Sequence, residues 1–294
     1  MTRIAVAQYP LDPLACFADY ETKITRWVED AASGGAELLV FPEYGAMELA
    51  HLAGAEAARD IHRAIATMQD VLPEADGVLS ALARKHGVTI IGGSAPVRQD
   101  DERYHNIARV FGPSGRSGAQ PKRMMTRFED EEWGVSAGDA LSIFETPIGR
   151  IGIAICFDVE FPILVRALVE AGADMILAPS CTDTLAGYWR VRIGAQARAL
   201  ENQCIVVQAP LVGNADWCPA VDVNVGAAGV YGPPDRGFPD NGVLALGEMN
   251  APGWVFADID RDAIAQVRAE GAVFNHRSWP LQADLPRVRE TSLL

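Results

Sequence analysis

Metal-ligand and disulfide patterns are the first things this 294-residue chain lacks. Its five cysteines (Cys16, Cys156, Cys181, Cys204, Cys218) are odd in number and widely spaced, with no C-x-x-C, which excludes a disulfide framework or a zinc site. The five histidines (His51, His62, His86, His105, His276) lack metal-ligand spacing. Lysine is scarce: Lys23, Lys85 and Lys122 stand against 22 arginines. No basic run interrupts a net charge of −14, from 39 acidic and 25 basic residues, so a nucleic-acid partner is not expected. No apolar stretch reaches the roughly 18 residues of a membrane span, so no membrane partner is expected. The opening MTRIAVAQYPLDP has no basic patch followed by an apolar run, so no secretory signal is expected. A soluble, cytoplasmic protein is the expectation.

What is present suits a globular core: 49% of residues are apolar and 22% charged. One pattern recurs, in which an amphipathic stretch meets a glycine and then a short apolar run closed by a turn residue. Phe17–Ala32 leads through Gly34 to Leu38–Phe41 and Pro42-Glu43. Val78–His86 leads through Gly87 to Val88–Ile91. Pro162–Ala171 leads through Gly172 to Met175–Ala178 and Pro179-Ser180. Glycine in the left-handed conformation ends helices, and the apolar runs have the length of buried strands, so the chain reads as α/β. Segments 34–43 and 170–180 are similar enough to suggest two related halves. Ile107–Phe111, Ser142–Glu145 and Ile151–Ile155 read as further strands, with turns at 112–115 and 146–150 predicting antiparallel hairpins. Residues 213–253 are rich in Gly, Pro, Asn and Asp and read as a loop-rich flank of the same domain.

The segment from Arg150 to Pro162 (RIGIAICFDVEFP) carries the most chemistry. An apolar strand running to Cys156 and a helix starting near Pro162 would hold the thiol at the carboxyl end of a sheet. The alternative role for Cys156 is that of a small buried hydrophobe. A free thiol needs a base or a nearby cation to attack at neutral pH. Histidine is the usual base, but none of the five sits at a strand end; His105, just before a strand, is a lesser candidate, and the partner is better sought among carboxylates and lysines. Glu43 follows an apolar strand as Cys156 does, and would otherwise be an exposed turn carboxylate. Lys122, in Gln-Pro-Lys-Arg-Met-Met, has apolar neighbours and would otherwise be a surface lysine.

Phe-Pro-Glu-Tyr (41–44), Pro-Lys-Arg-Met (121–124) and Ile-Cys-Phe-Asp-Val-Glu-Phe-Pro (155–162) together resemble, in order and spacing, the three motifs of the nitrilase superfamily of carbon–nitrogen hydrolases. The resemblance runs from Arg3 to about Ala272. Residues 179–192 and 197–202 are similar to its Rim1-like branch. The resemblance implies a four-layer α-β-β-α sandwich over 1–272, a C-terminal tail over 273–294 that could lie at a subunit interface, and association into a homodimer or larger even oligomer. It implies Glu43 as general base, Lys122 as oxyanion stabiliser and Cys156 as nucleophile. A further site glutamate falls in Glu129–Trp133; counting back from Ala137-Gly138-Asp139 selects Glu131, with Glu129 and Glu132 as rivals. One departure is Met124, where the family often has histidine.

The resulting expectation is an amidase-like hydrolase of a small linear amide, forming a thioester and using no metal or organic cofactor. Lys122 and the N–H of Phe157 would face the oxyanion, Glu131 would orient substrate or water, and Cys181, Tyr188 and Trp189 would shape the substrate pocket. Cys204 reads as core; Asn106 and Asn214 are lesser candidates for bracing the site or shaping access. A nitrile or N-carbamoyl substrate would use the same three residues. An acyltransferase would replace water with another acceptor, and a non-catalytic binding protein would keep only the fold.

Overall fold

Two sheets account for the strands that the short apolar runs predict. The computed structural model describes residues 1–283 and 287–291. The first sheet takes β1 (Thr2–Gln8), β2 (Leu38–Val40), β3 (Thr89–Ile91), β4 (Ala95–Arg98), β5 (Tyr104–Phe111), β6 (Ser117–Pro121) and β7 (Val135–Ser136). The second takes β8 (Ile143–Thr146), β9 (Gly149–Ile153), β10 (Met175–Ser180) and β11 (Ile205–Pro210). After a small hairpin of β12 (Gly213–Asn214) and β13 (Val223–Asn224), β14 (Gly229–Tyr231) and β15 (Val243–Leu246) extend the second sheet. The last strand, β16 (Gly253–Ile259), returns to the first sheet antiparallel to β1.

Helices α1 (Phe17–Ser33), α2 (Ala55–Ala58), α3 (Ile61–Met68) and α4 (Leu72–His86) belong to the N-terminal half. Helices α5 (Pro162–Glu170), α6 (Leu185–Asn202), α7 (Arg261–Glu270) and α8 (Asn275–Ser278) follow. Strand alternation sorts the residues into layers. Ile4 and Val6 of β1 join one core with Ile153, Val206 and Val230 of the second sheet and with Leu168 and Val191 of α5 and α6. Ala5 and Ala7 join another with Ile24 of α1 and Leu79 of α4. The result is the expected α-β-β-α sandwich. Among the described residues, no helix is long and apolar enough to cross a membrane.

The two similar segments occupy matching places. Strand β2 lies parallel between β1 and β3, and β10 lies parallel between β9 and β11. Both are buried along their whole length, as central parallel strands covered on two faces must be. The turns at 112–115 and 146–150 make the predicted hairpins β5–β6 and β8–β9. Two local expectations shift. At the end of α1 the left-handed residue is Gly35, at φ 82°, while Gly34 stays helical. The strand before Cys156 stops at Ile153, and Cys156 itself opens a single 3₁₀ turn, Cys156–Glu160. The start of the C-terminal segment docks on its own chain: Arg166 donates to the His276 carbonyl and Gln203 to that of Val273.

The loops after β2 and β3 interlock. Tyr44 N–H donates to Ser94 Oγ at 2.9 Å, and Ser94 N–H to the Pro42 carbonyl at 3.2 Å. This crossing requires Gly93, because a Cβ there would sit 2.7 Å from Gly45 Cα and 2.8 Å from Ala46 N, both backbone atoms that cannot swing aside. Gly93→Ala is expected to destabilise the protein by about 1–3 kcal/mol in denaturant unfolding. An unchanged midpoint would mean that the loops separate freely.

Candidate active site

Four chain segments converge at one end of the sheets. Glu43 lies three residues beyond β2, Lys122 directly follows β6, Glu129 opens the turn Glu129–Trp133, and Cys156 follows β9. All four side chains are buried, with the two carboxylates and the ammonium each about 1% exposed. Lys122 Nζ lies 2.7 Å from Glu43 Oε1, and 2.8 and 2.7 Å from the two oxygens of Glu129. Asn106, on β5, donates from Nδ2 to both glutamates, at 2.9 Å to Glu43 and 3.3 Å to Glu129.

The two carboxylates share one cation but not equally. Glu129 also accepts from the Tyr44 hydroxyl, the Thr126 hydroxyl and the Thr126 N–H. Burial raises its pKa, but Lys122 and these donors overcome that and hold the carboxyl below its ordinary value. Glu43 has fewer partners, the other oxygen accepting only from Cys181 N–H at 2.9 Å. Burial therefore prevails over Lys122 and, helped by repulsion from Glu129, pushes Glu43 up to about 7. Burial also opposes the Lys122 charge, but Glu129 and Glu43 outweigh it and keep the ammonium well above its ordinary range.

Cys156 adopts φ 47°, in the left-handed region that a residue with a side chain rarely enters. A third buried carboxylate holds it there. Asp158, 2% exposed, accepts N–H bonds from Ile155 at 3.2 Å, from Met124 at 2.7 Å and from Arg123 at 3.1 Å. It thereby ties the turn carrying Cys156 to the residues after Lys122. Burial pushes Asp158 up to about 6, against the opposing effects of Lys122 and these donors. Cys181 provides a second tie: its carbonyl lies 3.7 Å from Cys156 Sγ, while its N–H holds Glu43. Burial and the Glu43 charge push the Cys156 thiol well above its ordinary value, against Lys122. The resting pair is thus a thiol beside a carboxylate able to take its proton near neutrality.

Glu43, Lys122, Glu129 and Cys156 line a cavity of about 690 Å³, with Phe157 and Cys181 also on its wall. Other expectations need correction. Glu131 is exposed and pairs with Arg127 at 2.7 Å; the glutamate on Lys122 is Glu129. Its selection was legible, because Thr126-Arg-Phe-Glu129 has the T-x-x-E form, with Thr126 and Glu129 exchanging side chain-to-backbone bonds across three residues. Tyr188 is fully buried and accepts from Arg192, while Trp189 is 43% exposed, and neither lines the cavity. Successive residues of α6 point about 100° apart, and it is Arg190 and Val191 that reach the cavity. Cys204 is buried core; His105 and Asn214 do not line the cavity. Tyr44 and Asp158 carried no sequence signal beyond standing next to Glu43 and Cys156. Among the described residues no group of three or more His, Cys, Asp or Glu is arranged to hold a metal ion.

A model of the carbon–nitrogen hydrolase family matches residues 3–269. A probable hydrolase of Bacillus subtilis (strain 168), YhcX, is 33% identical over 271 residues, covering 92% of this chain and 52% of its own length. The chain thus spans about half of that relative. The human omega-amidase NIT2 is 26% identical, over 96% of this chain and 98% of its own. The crystal structure of a carbon–nitrogen hydrolase from Helicobacter pylori G27 superposes with a TM-score of 0.74 at 20% identity, covering 96% and 94% of the two chains.

The pairing makes unequal demands on the two glutamates. Glu129→Gln, which strips a buried ammonium of its bidentate partner, is expected to lower stability by about 3 kcal/mol or more. Glu131→Gln, on an exposed pair, should change it by no more than about 0.5 kcal/mol. Equal effects in urea unfolding would contradict the placement of Glu129.

Proposed function

The chain belongs to the carbon–nitrogen hydrolase family, and from that premise we propose that it hydrolyses a small linear amide through a thioester on Cys156. The observation that carries this reading is the meeting of Glu43, Lys122 and the Cys156 thiol in one cavity. The names of the B. subtilis and human relatives, a probable hydrolase and an omega-amidase, support it.

Each group has a task its surroundings suit. Glu43 takes the thiol proton as Cys156 Sγ attacks the amide carbon. Lys122, held cationic by its two glutamates, and the N–H of Phe157 stabilise the tetrahedral oxyanion; one such donor contributes roughly 3–4 kcal/mol. The intermediate collapses, the carbon–nitrogen bond breaks, and the amine leaves with the proton that Glu43 held. The acyl group stays on sulfur as a thioester. Water enters, gives a proton to Glu43 and attacks the thioester, and the carboxylic acid departs as sulfur recovers the proton. Glu129 keeps Lys122 in place and charged through the cycle.

The direct test is ammonia release from a panel of small amides, N-carbamoyl amino acids and nitriles, beside Cys156→Ala. Turnover confined to one of these classes and lowered at least about 1,000-fold by the substitution is the expected result. Near-normal turnover in Cys156→Ala would remove the cysteine from the mechanism. The pH profile tests the base. Glu43 must be ionised to accept a proton, and its pKa is raised to about 7, so kcat/KM should fall about tenfold per pH unit below that value. An acid limb near the ordinary carboxylate range would mean that the base is another group.

A further inference from the structure

Asn106 is a wholly buried residue of β5 to which the proposed chemistry assigns no step. Its backbone and its side chain both serve the site. The backbone carbonyl accepts from Lys122 N–H at 2.8 Å, which extends the β5–β6 ladder to the lysine. The side chain donates from Nδ2 to Oε1 of Glu43 at 2.9 Å and to Oε1 of Glu129 at 3.3 Å. Lys122 Nζ bridges the same two oxygens, at 2.7 and 2.8 Å. Two like-charged oxygens are therefore joined by two donors, one cationic and one neutral. The carboxylates also fix the orientation of the amide, since a reversed one would aim Oδ1 at both. Oδ1 itself is buried with no hydrogen-bond partner among the described residues, so the side chain's hydrogen bonds all go to the two carboxylates.

A donated hydrogen bond favours the ionised form of a carboxylate, and its loss raises the pKa. That loss would not fall equally on the two acids. Glu129 would keep Lys122, the Tyr44 hydroxyl, and the Thr126 hydroxyl and N–H. Glu43 would keep only Lys122 and the Cys181 N–H. Burial has already pushed Glu43 up to about 7, so it is the acid nearer to taking a proton. With Lys122 and Asn106 both on Oε1, the oxygen left for the thiol proton is Oε2. Lys122, Glu129, Tyr44, Cys156 and Cys181 are the titratable groups that face Glu43, and Asp158 acts in turn on Lys122.

Resting on the hydrolase reading of this cavity, we infer that Asn106 is the positioning residue of the general base: its amide aims the Glu43 carboxylate and holds it ionised for the attack by Cys156.

The pH profile of kcat/KM in Asn106→Leu and Asn106→Ala tests this, the first keeping the volume and the second relieving any crowding. Expected in either is an acid limb about one pH unit above that of the wild type. The consequence is a loss of about tenfold near pH 6 and a smaller loss above the limb. Asn202→Ala, at another wholly buried asparagine that does not line the cavity, should lower the urea midpoint and leave the limb in place. The rate of Cys156 alkylation by iodoacetamide, read on its own peptide by mass spectrometry, should show the same upward displacement in the Asn106 variants without any substrate being turned over. The inference is overturned if the limb keeps its wild-type position in the Asn106 variants, or if Asn202→Ala moves it as far. It is equally overturned if neither Asn106 variant folds, which would give the residue a role in stability alone. Should the wild-type protein hydrolyse no amide, the hydrolase reading fails, and the alkylation profiles still decide whether Asn106 sets the base.

Discussion

A buried lysine between two buried glutamates sets the terms for the rest of the molecule. Removing an ammonium from water costs several kcal/mol unless carboxylates compensate, and two carboxylates placed together repel unless a cation lies between them. Lys122, Glu43 and Glu129 satisfy these demands only jointly. Their partners come from β5, β6, the end of β2 and the Glu129 turn, so the ends of several elements must meet at one point. The unequal sharing of donors then has a chemical result. Glu129 stays ionised and anchors the lysine, while Glu43, less well solvated by the protein, sits near neutrality and can accept and return a proton.

Cys156 is held by neighbouring backbone and by the buried Asp158 carboxylate. Strands β9 and β10 run parallel in register, with Ile153 opposite Leu177. The chain leaving β9 therefore passes beside Cys181, whose N–H and carbonyl address Glu43 and the thiol respectively. Asp158 closes the arrangement by gathering N–H groups from both sides. A left-handed conformation at a cysteine costs about 1–3 kcal/mol, and this web of bonds makes it persist.

The elements most easily read were those whose signals are local. Short buried runs such as 175–180 became strands, Pro162 began its helix, and Gly87 ended one in the left-handed conformation. Errors arose where two neighbouring residues satisfy the same pattern. Gly34 and Gly35 both suit a cap, and three glutamates occupy 129–132, though the T-x-x-E spacing does distinguish Glu129. The assignment of Tyr188 and Trp189 to the pocket failed for another reason. Which face of α6 meets the cavity depends on how the helix lies across the second sheet.

By itself the sequence determined the α/β alternation, the three motif residues Glu43, Lys122 and Cys156, and the position of Glu43 and Cys156 after strands. The alternation follows from period and turn chemistry, and the three residues from the order and spacing of motifs that resemble the carbon–nitrogen hydrolases, all carried by neighbours along the chain. Only the tertiary structure decided that Asp158 and the Cys181 backbone hold Cys156, and that Arg190 and Val191 rather than Tyr188 and Trp189 face the cavity. Burial and charge pairing depend on residues far apart in sequence, and desolvation acts on them only once the sheets and loops have packed.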